Sequence, residues 1–396
     1  MVVRVYLKQA WNLMKQNPLF STLYIVGTGI SIVMTMVIAI VYYVRLAPVY
    51  PETNRMRTLV VKSAKMTNDE STHSSNISYA MLKDWFYSLE SAEVSTGVSG
   101  TSYARVTNDK EEIPTYARYT DENFFRVFPL VFLEGKPFTE ADRRSGIHNV
   151  VLTDSYAQQL FGTTKGVVGK NFLMDYTNVK VVGVVKSGSF LTPDSYAQVY
   201  LPYSCRDGYD DEGSHWALGG YRVYILMKES KSVTDVQDEV LELVRKFNVS
   251  DMGDGWKLDL VGQPELYWHS TFRLWSNVAV DWGRVIWMFV GIFMVLLFVP
   301  AFNLSGMISA RMERQLPDLG IRKAFGASRR RLLVQIIWEN LLLTGLGTLL
   351  GLVIAWIVLA LSGYEIFSLF EVFPKFPPKG VNLGMGIDMF FAPLIF

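Results

Sequence analysis

The closest approach to nucleotide chemistry in this 396-residue chain is Thr164-Lys165-Gly166-Val167-Val168-Gly169-Lys170-Asn171. A loop that cradles phosphates reads G-x-x-x-x-G-K-[ST], opens a helix, and ends in a hydroxyl that reaches magnesium. Here Thr164 replaces the first glycine, Asn171 replaces the hydroxyl, and a strand pattern follows. The chain is therefore expected to carry no ATPase. His73, His148, His215 and His269 are scattered, with no H-E-x-x-H spacing, and Cys205 is the single cysteine. That excludes an internal disulfide framework and gives no zinc-ligand pattern. Glu111-Glu112 and Asp210-Asp211-Glu212 sit in polar stretches where acids are ordinarily solvated, and no G-x-S-x-G elbow occurs. No catalytic, cofactor-binding or metal-binding residue is expected.

The chemistry instead lies in how charge and apolar length are distributed. Half of the residues are apolar and 19% are charged. Residues 19–44, 285–310 and 340–364 each lack Asp, Glu, Lys and Arg. A bilayer core about 30 Å thick takes about 20 helical residues, so each stretch is long enough to span it. Spans are placed at 19–45, 284–308 and 335–364. The first is too long for the core of a cleaved signal and reads as an anchor. The leader 1–18 carries three bases and no acid, and residues 307–334 carry seven bases against Glu313 and Asp318. Both belong on the cytoplasmic side. Residues 47–283 hold 24 bases and 31 acids, an acidic exterior that makes nucleic acid an unsuitable partner. Tyr42, Tyr43, Trp282, Trp287 and Trp338 mark interfaces, Gly27 with Ser31 and Gly347 with Gly351 offer small-residue packing, and Pro300 predicts a kink. The tail 387–396 reads as the start of a fourth span after a proline-rich loop at 365–386.

Between the second and third spans the residues ask for more than a basic loop. Pro317 suits a first helical position, Asp318 complements a helix N-terminus, and Gly326 suits a stop. This predicts a short helix with Ile321, Ala324 and Phe325 on its apolar side and Arg322 and Lys323 elsewhere, a docking element within a coupling region at 309–334.

The exterior segment 46–283 has mixed α and β signals. Helices are predicted over 78–93, 154–161 and 234–247, the last capped by Thr234 and Gln237. Strands are predicted at 58–61, 93–98, 102–106, 113–119, 149–152, 171–176, 179–185, 197–201, 221–227 and 256–261. The order suggests a split α+β unit with an insert at about residues 120–203.

The string Glu313-Arg314, then Pro317-Asp318-Leu319-Gly320-Ile321-Arg322-Lys323-Ala324-Phe325-Gly326-Ala327-Ser328, resembles the E-R-x-x-E-I-G-x-R-K-A-x-G-A-S hallmark of MacB/FtsX-type ABC transporter permeases. Pro317 and the Asp318-Leu319 pair depart from it. Asn303-Leu304-Ser305-Gly306-Met307 and Glu339-Asn340 resemble forms common in Bacteroidota. Ala10-Trp11-Asn12-Leu13, Asn17-Pro18, the stretch from Phe124-Phe125 to Phe138, Val167-Val168-Gly169-Lys170 and Val181-Val182-Gly183-Val184 extend the resemblance along nearly the whole chain. The resemblance implies an α-helical protein of the bacterial inner membrane, with a large mixed α+β periplasmic core made of a split porter-like part and an inserted second subdomain. It further implies a dimer with a second permease chain, homo- or heterodimeric, embedded in membrane lipid. A separate ABC ATPase, carrying the ATP and Mg, would bind residues 313–328. Work at that ATPase would be transmitted to the periplasmic domain for efflux of a drug, peptide or lipid-linked cargo, with a periplasmic adaptor or outer-membrane channel as further partners. The alternative within the family is an FtsX-like mechanotransmission regulator of cell-wall hydrolases. A membrane-anchored enzyme lacks its catalytic constellation.

Overall fold

The computed structural model describes residues 11, 15, 18–100, 102–108, 111–206, 208–210, 216–250, 255–326, 328–368 and 390–394. Most of the leader 1–18, the proline-rich stretch 373–378, Asp211, Glu212, His215 and Ala327 lie outside the described residues. The chain divides into two compact units. One gathers Met1–Tyr43, Trp282–Val372 and Gly386–Phe396, and the other is Val44–Asp281 with Phe373–Met385.

The first unit is helical, with long helices at Pro18–Leu46, Trp282–Ala324 and Arg329–Ser368. Ser21–Leu46 and Leu332–Gly363 are long and apolar enough to cross a bilayer, while Trp282–Phe298 is a shorter apolar stretch among the described residues. The expected Gly347 and Gly351 pair does meet another helix, but its counterpart on the first helix is Gly29, whose carbonyl faces Gly351. Ser31 instead donates its hydroxyl to the Gly27 carbonyl of its own helix, at 3.0 Å. Tyr24 and Thr344 share a hydrogen bond of 3.0 Å across the same pair of helices. Ser362, at φ −121°, interrupts the last helix.

One expectation needs correction here. No separate short helix begins at Pro317: Trp282–Ala324 is a single helix of 43 residues that passes through both Pro300 and Pro317. Each proline forfeits one backbone donor, toward the carbonyls of Leu296 and Glu313, which the flanking helical turns outweigh. At 1.5 Å per residue the helix is about 65 Å long, roughly twice a bilayer core.

The second unit is α+β. Its first sheet runs Lys257–Asp259, Ala64–Thr67, Thr72–Ile77, Tyr221–Met227, Thr58–Val61, Glu265–Leu266, with Leu218–Gly219 and Ala92–Ser99 added beside Thr72–Ile77 and Tyr221–Met227. Tyr221–Met227 is the hub, antiparallel to both Ala92–Ser99 and Thr58–Val61. The hub comes from the C-terminal half and its partners from the N-terminal half, so the sheet is split around an insert. Alternation then sorts its side chains. Leu59, Val61, Val223 and Ile225 pack with Met81, Leu82, Val236, Val240 and Phe247 of two covering helices. Val60, Val94, Val98, Tyr224 and Leu226 pack with Phe124, Phe125, Phe128 and Tyr200 of the insert. A sheet covered on both faces needs near-continuous apolar strands, which these are.

The insert starts at Ser102, not near residue 120. Ser102–Asn108 and Glu111–Thr120 pair with each other, and Glu111–Thr120 lies parallel to Val199–Pro202. The order is Phe132–Gly135, Thr177–Val185, Asn149–Thr153, Val199–Pro202, Glu111–Thr120, Ser102–Asn108, Asn171–Met174. Asn171–Met174 also pairs with Thr177–Val185, which closes six of these strands into a ring. Val106, Val150, Leu152, Tyr156 and Val181 fill its core.

Two helix limits also differ from expectation. Ser78 caps Tyr79–Asp84 as predicted, accepting from the Met81 N–H, yet the helix stops early. The Ser88 hydroxyl bonds the carbonyls of Asp84 and Trp85, both at 2.9 Å, ending the turn. Val233–Val249 is capped by Ser232 with Asp235, in a reciprocal box, in place of Thr234 with Gln237. Gln237 donates instead to the Pro264 carbonyl, at 2.9 Å.

Candidate coupling site

The predicted docking string falls on the end of one long helix and the turn into the next. Glu313, Arg314, Asp318, Leu319, Gly320, Ile321, Arg322, Lys323 and Ala324 lie in Trp282–Ala324, and Phe325 and Gly326 form the turn. Phe325 N–H donates to the Ile321 carbonyl and Gly326 N–H to that of Lys323, each at 3.0 Å. Gly326 takes φ +88°, the left-handed conformation that ends helices and that glycine adopts without strain. Ser328 accepts the Leu332 N–H on its carbonyl at 3.2 Å, and Arg329–Ser368 follows.

At 100° per residue Ile321, Ala324 and Phe325 share one side of the helix, and the first and last of them are 57% and 88% exposed. Glu313, Lys323, Arg329 and Arg330 are exposed around them. Burying an isoleucine or phenylalanine contributes about 1.5–3 kcal/mol each, so this apolar crest can bind a complementary groove. Gly320 has open space where a side chain would stand, which permits close approach of a partner. Sequence reasoning missed Leu316 and Leu333, both 59% exposed near the same turn; their apolar type in a basic segment was the available signal.

The α+β unit offers no comparable chemistry among the described residues. Thr164 to Asn171 runs into strand Asn171–Met174, and Val168 and Gly169 line a groove of about 510 Å³ with Gly135, Lys136, Lys180, Val181 and Val182. No carboxylate, histidine or hydroxyl lines it. Among the described residues no group of three or more His, Cys, Asp or Glu could hold a metal ion. Burial pushes the Cys205 thiol up to about 12, which keeps it protonated and unreactive.

Buried charge does occur where the insert meets the split sheet. Asp194 pairs with Arg222 at 3.0 Å and lies 3.8 Å from Lys62. Burial alone would raise its carboxyl, but Lys62, Arg222 and Arg118 outweigh burial and hold it well below the usual carboxylate range. Asp121 accepts from Tyr87, Thr96 and the Gly97 N–H. Burial pushes it up to about 6 against those donors.

Two family models match the chain. The MacB-like periplasmic core domain matches residues 20–243, and the FtsX-like permease C-terminal domain matches 277–396. Macrolide export ATP-binding/permease protein MacB of Escherichia coli K12 is 22% identical over 268 residues, as is the MacB of Shigella sonnei. The match takes in 66% of this chain and 39% of each relative, so the chain spans about two fifths of the length of the curated relatives it matches. Among solved structures, the periplasmic region of MacB from Actinobacillus actinomycetemcomitans aligns over 50% of this chain and 88% of its own, at 16% identity and a TM-score of 0.36. The extracellular domain of the noncanonic ABC-type transporter YknZ from Gram-positive bacteria aligns over 50% and 99%, at 16% identity and 0.35. With its core domain and its C-terminal domain both matched, this chain belongs to the MacB/FtsX-type family of ABC transporter permeases, membrane-embedded proteins with a periplasmic domain.

Proposed function

We propose that this chain is the permease subunit of an ABC transporter in the bacterial inner membrane, worked by an ATPase on a separate subunit. The observation that carries the reading is the exposed crest of Ile321 and Phe325 at the turn between two long helices. The ATPase docks on residues 313–328. Closure of its ATP-bound dimer pushes the turn, and Trp282–Ala324, a continuous helix about 65 Å long, carries the displacement along its axis. The α+β unit, in the periplasm, responds by expelling a drug, peptide or lipid-linked cargo. Two permease chains act together, with a periplasmic adaptor or outer-membrane channel beyond them. ATP and Mg stay on the ATPase, and this chain contributes binding and transmission.

Copurification from native membranes tests the reading. The full chain should bring down an ATP-hydrolysing ABC subunit, and Phe325→Cys should form a disulfide, under mild oxidation, with a cysteine introduced into the docking groove of that subunit. Recovery of the chain without any such subunit, under conditions that preserve other transporters of that membrane, contradicts the proposal.

A further inference from the structure

The stretch that imitates a phosphate loop is put to a different use by the fold. Val168 and Gly169 line a groove of about 510 Å³ together with Gly135, Lys136, Lys180 and Val182, all of them in the insert of the α+β unit. Backbone hydrogen bonds fix its walls. Gly169 N–H donates to the Val181 carbonyl at 2.8 Å, Val181 N–H to that of Lys170 at 2.9 Å, and Lys136 N–H to that of Val182 at 3.1 Å. Lys180 N–H donates to the His148 carbonyl at 2.9 Å, and Glu134 accepts the Val167 N–H at 3.2 Å. Gly135, at φ +70°, brings the end of its strand against both neighbours: a methyl built on it would stand 2.1 Å from the Val182 carbonyl oxygen and 2.9 Å from Val168 Cγ2.

These bonds decide what the groove can recognise. A backbone cradle for phosphate needs several N–H groups pointing at the ligand, whereas those of Val167, Gly169 and Lys170 in the loop, and of Lys136, Lys180 and Val181 beside it, are all committed to the fold. What remains is the apolar wall of Val168 and Val182 and two ammonium groups. Lys136 and Lys180 are exposed, and neither pairs with a carboxylate among the described residues. Other amines of the domain are engaged: Lys170 lies 5.1 Å from the centre of the Phe161 ring, Lys186 5.6 Å from that of Tyr50, and Lys62 3.8 Å from Asp194. In a segment, 47–283, that holds 31 acids against 24 bases, two unpaired cations beside an apolar wall are complementary to an anion carried on an apolar body. Ligand sites run to about 300–1,000 Å³, so a groove in the lower half of that range suits one chain better than two.

We propose that the groove binds a single-chain amphiphile with one anionic head, the class of a fatty carboxylate, its chain against Val168 and Val182 and its head on the ammonium groups of Lys136 and Lys180. Burial of the chain supplies the affinity, and the two lysines select the charged head over a neutral one. The groove is formed within the insert alone, and its occupancy does not depend on the ATPase or on transport.

The test uses the full chain in phosphatidylcholine nanodiscs at neutral pH, titrated with octanoate by isothermal calorimetry, with the signal of empty nanodiscs subtracted. The parent chain should bind octanoate saturably. Octanol, which has the chain without the charge, should bind roughly tenfold more weakly, and Lys136→Gln combined with Lys180→Gln should weaken octanoate by the same factor, within the range of two exposed ion pairs. Acetate, the charge without the chain, should show no saturable binding. Val168→Glu, at a wall position that is 38% exposed, should abolish octanoate binding, and all variants should melt with the parent. Dihexanoyl phosphatidylglycerol, an anion with two chains, should bind more weakly than octanoate. Uptake of octanoate no greater than by empty nanodiscs, or equal affinity in the parent and the double lysine variant, overturns the site. Octanol binding as tightly as octanoate overturns the anionic head, and dihexanoyl phosphatidylglycerol binding as tightly overturns the single chain.

Discussion

Gly347 lies where a side chain would strike the first helix: a methyl built on it would stand 2.7 Å from Thr28 Cβ and 3.0 Å from the Ile25 carbonyl oxygen. One turn on, the same construction at Gly351 meets the Gly29 carbonyl at 2.7 Å. Between helices in lipid the hydrophobic effect gives little attraction, so close packing of small residues has to supply it. Gly347→Leu should therefore destabilise the chain by about 1–3 kcal/mol, the usual cost of overpacking. Gly345→Leu, with nothing within 4 Å, is the control and should change little. Thermal unfolding in detergent, followed by tryptophan fluorescence, reads the difference.

Asp194 sets an acid-side expectation. Its folded-state carboxyl is held below the ordinary value by Lys62, Arg222 and Arg118, against burial. A depressed carboxyl contributes stability that is present above its unfolded pKa, about 3.9, and is lost as pH falls from there toward the folded value. Below about pH 4 the melting temperature of the chain should fall, and Asp194→Asn should flatten that limb while lowering stability at pH 7. Parallel melting curves of parent and variant down the acid limb would contradict the assignment.

Helix Val233–Val249 gives a choice between two adjacent sequence signatures. Ser232→Ala should cost about 1 kcal/mol because the Asp235 N–H loses its acceptor, and Thr234→Ala should cost a few tenths or less. Equal losses in urea unfolding would return the cap to Thr234.

That helix shows where local sequence stops being informative. Both Ser232 with Asp235 and Thr234 with Gln237 have capping spacing, and only the pull of Pro264 on Gln237 separates them. Strand Tyr221–Met227 and helix Asp154–Phe161 were legible because their apolar pattern suffices to define them. The start of the insert was not, since Glu111–Thr120 finds its partner some eighty residues later, in Val199–Pro202. Pro317 reads locally as a helix start, and the turns on either side of it override that preference. At the coupling site, the residue string and its apolar side were readable in advance, but the exposure of Phe325 depends on where the helix ends. Within the α+β unit, the Arg55 guanidinium meets the carbonyls of Val44 and Ala47, the Glu52 carboxylate and the Tyr267 ring, a convergence no spacing rule predicts.

Gly320→Trp and Ala324→Trp probe the docking face without disturbing the fold. Both positions are exposed, and surface changes of this kind usually stay within about 0.5 kcal/mol. Membrane insertion and thermal stability should be retained, while stimulation of the partner ATPase falls. If stimulation survives both bulky residues, close approach at this face is not needed.

The central claim is that the crest of Ile321 and Phe325 is where the ATPase engages, and the most direct measurement is ATP turnover by the purified ATPase with parent chain or Phe325→Glu in nanodiscs. An apolar anchor of this kind contributes about 2 kcal/mol or more, so the variant should bind the ATPase roughly 30-fold more weakly and lose its stimulation, with the same melting temperature as the parent. Undiminished binding and stimulation by Phe325→Glu would contradict the account.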